Sequence, residues 1–100
     1  NLRKNNKKGE KHMQVNKDLR LRRVMDKNFI VAVGELSKTF YGMVKLNDTA
    51  AFVFLLLLKK KSFEKIVKAV VKKYGVEEEI AKEDVKSIIQ QFKKAGFIND

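Results

Sequence analysis

Residues 42–58, GMVKLNDTAAFVFLLLL, constrain this chain more than any other stretch. A short candidate strand, Met43-Val44-Lys45-Leu46, runs into Asn47-Asp48-Thr49. These three residue types cap helices, because their short side-chain oxygens accept from the free N–H groups of a first turn. The apolar run that follows, residues 50–58, is far too short to cross a bilayer, which takes about 20 residues. It is apolar on every side, so it is expected to be a central helix surrounded by other elements.

The rest of the chain is read by asking what covers that helix. At 100 residues the protein is one small domain, and its 44% apolar content marks a folded one. Residues 19–24 alternate, with Leu19 and Leu21 on one face and Arg20 and Arg22 on the other, the pattern of a strand. A turn is expected at residues 25–28. The apolar, β-branched run at residues 29–33 (FIVAV) then reads as a buried strand, and residues 34–39 as a loop. With connections this short, the three strands form an antiparallel meander.

After the central helix, Ser62 caps a second, whose apolar positions Phe63, Ile66, Val67, Val70, Val71 and Tyr74 keep helical spacing up to Gly75. Glu77, Glu78 and Glu79 suit the positive end of a third helix, and Lys93 and Lys94 its negative end. The apolar face of this helix is Ile80, Ala81, Val85, Ile88, Ile89, Phe92 and Ala95; Gly96 ends it, and Phe97 and Ile98 fold back onto the core. The expected fold class is α+β: a winged helix-turn-helix-like domain, with a three-stranded antiparallel sheet followed by three helices.

The net charge of +11 is unevenly placed. Residues 1–24 carry nine Lys/Arg against Glu10 and Asp18, whereas residues 25–100 carry fourteen against ten carboxylates. Most of the excess therefore belongs to the N-terminal region. Residues 1–16 are read as a disordered basic tail and residues 17–100 as the domain. His12-Met13 resembles a cloning junction, with Met13 as the native start and an expression remnant before it; otherwise the tail is a native or fused binding segment.

Several function classes are excluded or disfavoured. The chain has no cysteine, which removes disulfides, zinc–thiolate sites, iron–sulfur ligation and a thiol nucleophile. Its one histidine, His12, lies in the tail, so no histidine-based triad can be built. There is no glycine-rich phosphate loop and no metal-ligand spacing, so neither enzyme activity nor a cofactor or metal is expected. No apolar segment follows the basic N-terminus to make a signal peptide, which suggests a cytoplasmic location without membrane contact. The alternative reading is a winged-helix DNA-binding protein, favoured by charge and the helix pair. It is opposed by Glu77, Glu78, Glu79, Glu83 and Asp84, which would face phosphates from the start of the third helix.

Leu46-Asn47-Asp48-Thr49-Ala50-Ala51, preceded by Phe40-Tyr41-Gly42-Met43, resembles the "yG-hydrophobic-x-LN-x-T-[GA]-A" core of the PqqD-like family. Tyr74-Gly75-Val76, the step from Ala81 to Asp84-Val85, and Ala95-Gly96-Phe97-Ile98 extend the resemblance in register over about residues 15–98. Ala50 stands where many members carry glycine, and Phe54 and leucines where a Trp is common. The resemblance implies a peptide chaperone, or recognition element, for ribosomally made and post-translationally modified peptides, and the lysine-, asparagine- and isoleucine-rich composition suggests a bacterial source. Such a domain holds the leader of a precursor peptide and presents it to a modifying enzyme, such as a radical SAM enzyme, a protease or a cyclase. It further implies that the leader adds as a strand beside the third strand and packs on the third helix. On this chain those positions are Phe40, Tyr41, Met43, Val44, Lys45 and Leu46, then Lys82, Val85, Lys86, Ile88, Ile89 and Phe92.

The residues themselves agree with that mechanism. The third strand of such a meander is a sheet edge, which invites another strand. Met43 and Lys45 point to one face, Val44 and Leu46 to the other. Met43 suits an adaptable pocket wall, and ligand side chains are expected to fill a Met43/Val85/Ile88 region. Lys45, Lys82 and Lys86 are expected to steer acidic leader residues. Roughly half of the Val85, Ile88, Ile89 and Phe92 stripe is expected to be core and half groove. An open edge also permits a strand-mediated homodimer, and residues 1–16 could themselves mimic a leader in the groove.

Overall fold

The computed structural model describes residues 13–40 and 42–99. In chain order the elements are β1 (Gln14–Val15), β2 (Leu19–Val24), β3 (Lys27–Ala32), a 3₁₀ turn (Gly34–Lys38), β4 (Met43–Leu46), α1 (Asp48–Leu58), α2 (Phe63–Tyr74), α3 (Glu78–Lys94) and β5 (Ile98–Asn99). The main sheet is antiparallel in the order β2-β3-β4, and all three helices follow it, so the expected fold class holds.

β2 and β3 meet through a two-residue turn, since Val24 pairs with Lys27. Met25 and Asp26 both take positive φ there (49° and 74°), the backbone of a type I′ turn, which matches the natural strand twist. The turn is thus tighter than the four residues expected, and β3 starts two residues earlier. Leu19, Ile30 and Leu46 project from one face of the sheet into a core shared with Val53, Phe54 and Leu57 of α1 and Ile66, Val70, Val85 and Phe92 of the other helices.

Two expectations about coverage fail in the same way. α1 is central, but Leu55 and Leu58 are exposed, so one side of its apolar run faces solvent. Residues 29–33 are not buried on both faces. Ile30 is fully buried, whereas Phe29 and Val31 project from the opposite face and are only half-covered. The helices all lie on one side of the sheet, so alternate residues of one apolar strand meet different surroundings.

The domain also closes differently at its ends. Gln14 and Val15 pair antiparallel with Asn99 and Ile98, and the Asn16 N–H donates to the Phe97 carbonyl at 2.8 Å. The folded unit therefore includes Met13 and Val15, which pack on the core, and the boundary expected after residue 16 lies within it. These residues run beside β5, not beside β4. The expectations for residues 1–12 lie outside the described residues.

Candidate functional site

Three local devices place β4 against the helices. The first is the cap of α1: the Asn47 side chain accepts from the Ala50 N–H at 2.8 Å, so the chain turns from strand to helix within one residue. The second is Asn28, the one buried polar residue among the described residues. Its Nδ2 donates to Asp48 Oδ1 at 2.8 Å and, more weakly, to the Leu46 carbonyl at 3.5 Å, while its Oδ1 accepts from Arg23 Nη1 at 2.8 Å. One side chain thereby ties β2, β3, the end of β4 and the start of α1, and satisfies its own buried polar atoms.

The third device is aromatic. Phe54 of α1 meets Phe92 of α3 edge-on, with ring centroids 5.6 Å apart. Phe92 meets Phe97 at 5.9 Å, and Phe97 meets Phe40 edge-on at 5.9 Å. Phe40 sits just before β4, so this chain of rings sets the start of that strand against the C-terminal end of α3. The turn that delivers Phe97 is itself well formed. Gly96 takes φ 82° and its N–H donates to the Lys93 carbonyl, while the Phe97 N–H donates to the Phe92 carbonyl. A residue with a Cβ is strained in that left-handed conformation, and the associated contact between Phe92 and Phe97 is the usual companion of such a helix end.

β4 is an edge strand. It pairs with β3 on one side, and no strand pairs with its other side among the described residues. Val44 stands opposite Ile30 and Leu46 opposite Asn28, so both point toward the helices. Leu46 is buried, but Val44 is 36% exposed, which makes it the accessible apolar side chain on the helix-facing side of this edge. Met43 stands opposite Val31 and Lys45 opposite Phe29, so both point to the other face of the sheet. Met43 is 55% exposed there.

The α3 positions divide further. Val85 is 0% exposed, and Ile89 and Phe92 are buried beside it, so these three belong to the core. Ile88 is half-buried against the core, while Lys82 and Lys86 are exposed. Residues two apart on a helix lie about 200° apart, so Lys86 and Ile88 face different sides of α3. The expected Met43/Val85/Ile88 region is not assembled, because Met43 lies on the far face of the sheet and Val85 is closed over. Phe40 is half-buried against Phe97 as a packing residue, and Tyr41 lies outside the described residues.

Three features escaped the sequence reading. Ile80 is 50% exposed amid Glu77, Glu79, Glu83 and Asp84, all exposed, although its spacing alone puts it on the packed face of α3. Asn28 reads as a turn residue from the sequence, because its partner Asp48 lies twenty residues away. Phe29 and Val31 looked like core. Among the described residues no group of carboxylates or histidine can hold a metal ion, and no helix is long and apolar enough to cross a membrane.

A family model described as coenzyme PQQ synthesis protein D (PqqD) matches residues 35–98. The chain belongs to the PqqD family. The matched range begins inside the 3₁₀ turn and runs through β4 and all three helices to the first residue of β5, so β2 and β3 lie before it. Those strands are covered by similarity in fold. A solved structure described as lasso peptide synthetase B1 complexed with the leader peptide superposes with a TM-score of 0.73. It is 19% identical and covers 90% of this PqqD-family chain and 100% of its own. TbiB1 in complex with the TbiA(beta) leader peptide superposes with a TM-score of 0.71 at 15% identity, over 86% and 94% of the two chains. Comparison with curated proteins gives no match.

Proposed function

We propose that this PqqD-family protein is a non-catalytic peptide chaperone that binds the leader of a ribosomally made precursor peptide. It presents that peptide to a modifying enzyme, whether a radical SAM enzyme, a protease or a cyclase. Family membership and the fold shared with two leader-complexed proteins support this reading. The observation that carries it is the free edge of β4, with an accessible apolar side chain, Val44, on its helix-facing side. Strand addition draws affinity from main-chain hydrogen bonds along such an edge and specificity from the surroundings of alternate side chains.

The peptide-binding residues are accordingly Met43, Val44 and Lys45 on β4, with the half-buried Ile88 as the flanking contact on α3; Lys82 and Lys86 face another side of that helix and act only through their charge. Leu46, Val85, Ile89, Phe92 and Phe40 support them from the core. A DNA-binding role is disfavoured by charge: Glu77, Glu78, Glu79, Glu83 and Asp84 are all exposed at the start of the helix that would face the duplex.

The test is a titration of isotope-labelled protein with the leader of the short peptide encoded beside its gene, with a random DNA duplex at matched salt as control. Resonance shifts centred on residues 43–46 and the exposed face of α3 with the leader, and none with the duplex, are expected. Saturable shifts with the duplex and none with the leader would sink the chaperone reading.

A further inference from the structure

The outer face of the sheet has its own chemistry. Two rows of side chains cross it: Arg20, Val31 and Met43, and Arg22, Phe29 and Lys45. Each row places an apolar side chain on the central strand and cations at one or both ends, and neither contains a carboxylate. The cations are also uncompensated among the described residues. Arg20 Nη1 donates to the Lys17 and Leu19 carbonyls at 2.8 and 2.9 Å, and Arg22 Nη1 to the Leu21 carbonyl at 3.2 Å. Among the described residues none of Arg20, Arg22 and Lys45 pairs with a carboxylate.

A strand added to the free edge of β4 continues both rows by one position. Directly opposed residues on neighbouring strands project to the same face, and neighbouring strands lie about 4.8 Å apart. The peptide residue opposite Lys45 therefore points outward beside the Lys45 ammonium. The residue opposite Met43, two positions away, points outward beside a half-exposed thioether. The residue between them, opposite Val44, points toward the helices.

Resting on the strand-addition reading, we propose that the outer row ending in Lys45 reads an acidic residue of the bound peptide. The peptide class is a strand carrying Asp or Glu opposite Lys45, with apolar residues opposite Val44 and Met43. Lys45 is the specificity-determining residue, and Arg22 adds to the positive field along the row without touching the peptide. Because the pair is solvent-exposed, its contribution falls as salt rises.

The probe is a displayed library of random nine-residue peptides, selected in parallel on the wild-type protein and on the Lys45→Glu variant. Circular dichroism confirms folding of the variant, whose substituted side chain is exposed. Selected peptides are then synthesised with Glu, Gln or Lys at the enriched position and titrated into labelled protein. Wild type is expected to enrich an acidic residue two positions from an apolar one, and Lys45→Glu a basic residue there. The Glu-to-Lys exchange is expected to change affinity about tenfold in opposite directions for the two proteins, on the scale of cross-strand charge pairs.

The outcomes separate the proposal from its premise. Identical residue preferences in both selections, with shifts along residues 43–46, overturn the role of Lys45 and leave strand addition standing. Shifts confined to other elements overturn both. Salt-sensitive binding of a twelve-residue oligothymidylate with shifts at Phe29, tighter than any selected peptide, also overturns it, because the outer face is then a nucleic-acid surface.

Discussion

The two faces of the β2-β3-β4 sheet are built from alternate residues of the same strands and do opposite work. On the inner face Leu19, Ile30 and Leu46 are closed over by the helices. On the outer face Phe29 and Val31 are half-covered and Met43 is largely open, with arginine and lysine stems as their neighbours. The inner face supplies the apolar burial that holds the fold together. The outer face leaves a column of side chains that ends at the free edge of β4, where a partner strand can extend it. One element thus contributes to stability through even-numbered residues of β3 and leaves its odd-numbered ones on the open face.

The largest expected effect comes from adjacent substitutions that separate the faces. Ile30→Ala removes a fully buried side chain and should cost about 3 kcal/mol of unfolding free energy, as large-to-small changes in cores do. Val31→Ala, one residue on, should cost less than about 1 kcal/mol because its site is already half-open. Urea unfolding curves for the two variants measure the contrast, and equal losses would break it. Next comes Asn28→Ala, which removes the hydrogen bonds to Arg23, Asp48 and the Leu46 carbonyl and should cost about 2 kcal/mol. Thermal unfolding checks it.

Val44→Asp tests the edge where the faces meet. It should weaken leader binding about tenfold or more, roughly 1.4 kcal/mol, by placing a charge where the peptide covers the helix-facing side. Calorimetric titration reads the affinity, and unchanged affinity in a folded variant would remove Val44 from the site. The smallest effect concerns the turn that fixes the register of β2 on β3. Met25→Asn with Asp26→Gly supplies residues suited to two positive φ angles and should raise stability by about 0.5–1 kcal/mol. A loss of stability would mean that Met25 and Asp26 do more than turn the chain.

Much of this fold was readable because its signals are local. Asn47 and Ser62 cap the helices for which their side-chain oxygens mark them, Gly75 and Gly96 end α2 and α3, and the alternation of residues 19–24 puts Leu19 inside and Arg20 outside. The site was legible at a coarser level. β4 could be recognised as an edge from the order of strands, and the correct split of Met43 and Lys45 from Val44 and Leu46 follows from strand geometry. Which side faces the helices did not follow, because that is set by the whole layer packing and not by the four residues of β4. The same ignorance made Phe29 and Val31 look buried and left Val85 undivided from Ile88. The pairing of β1 with β5 was hidden for a different reason: two-residue strands at opposite ends of the domain carry no period to detect.

A leader that binds by strand addition must lie along the outer edge of β4. Amide hydrogen exchange of the β2 and β4 strands, measured with and without the leader, tests it most directly. If the account holds, outward-pointing amides within residues 43–46 become protected on binding, while those on the outer edge of β2 exchange as before. Unchanged exchange along β4 under saturating leader, with protection appearing elsewhere, would contradict it.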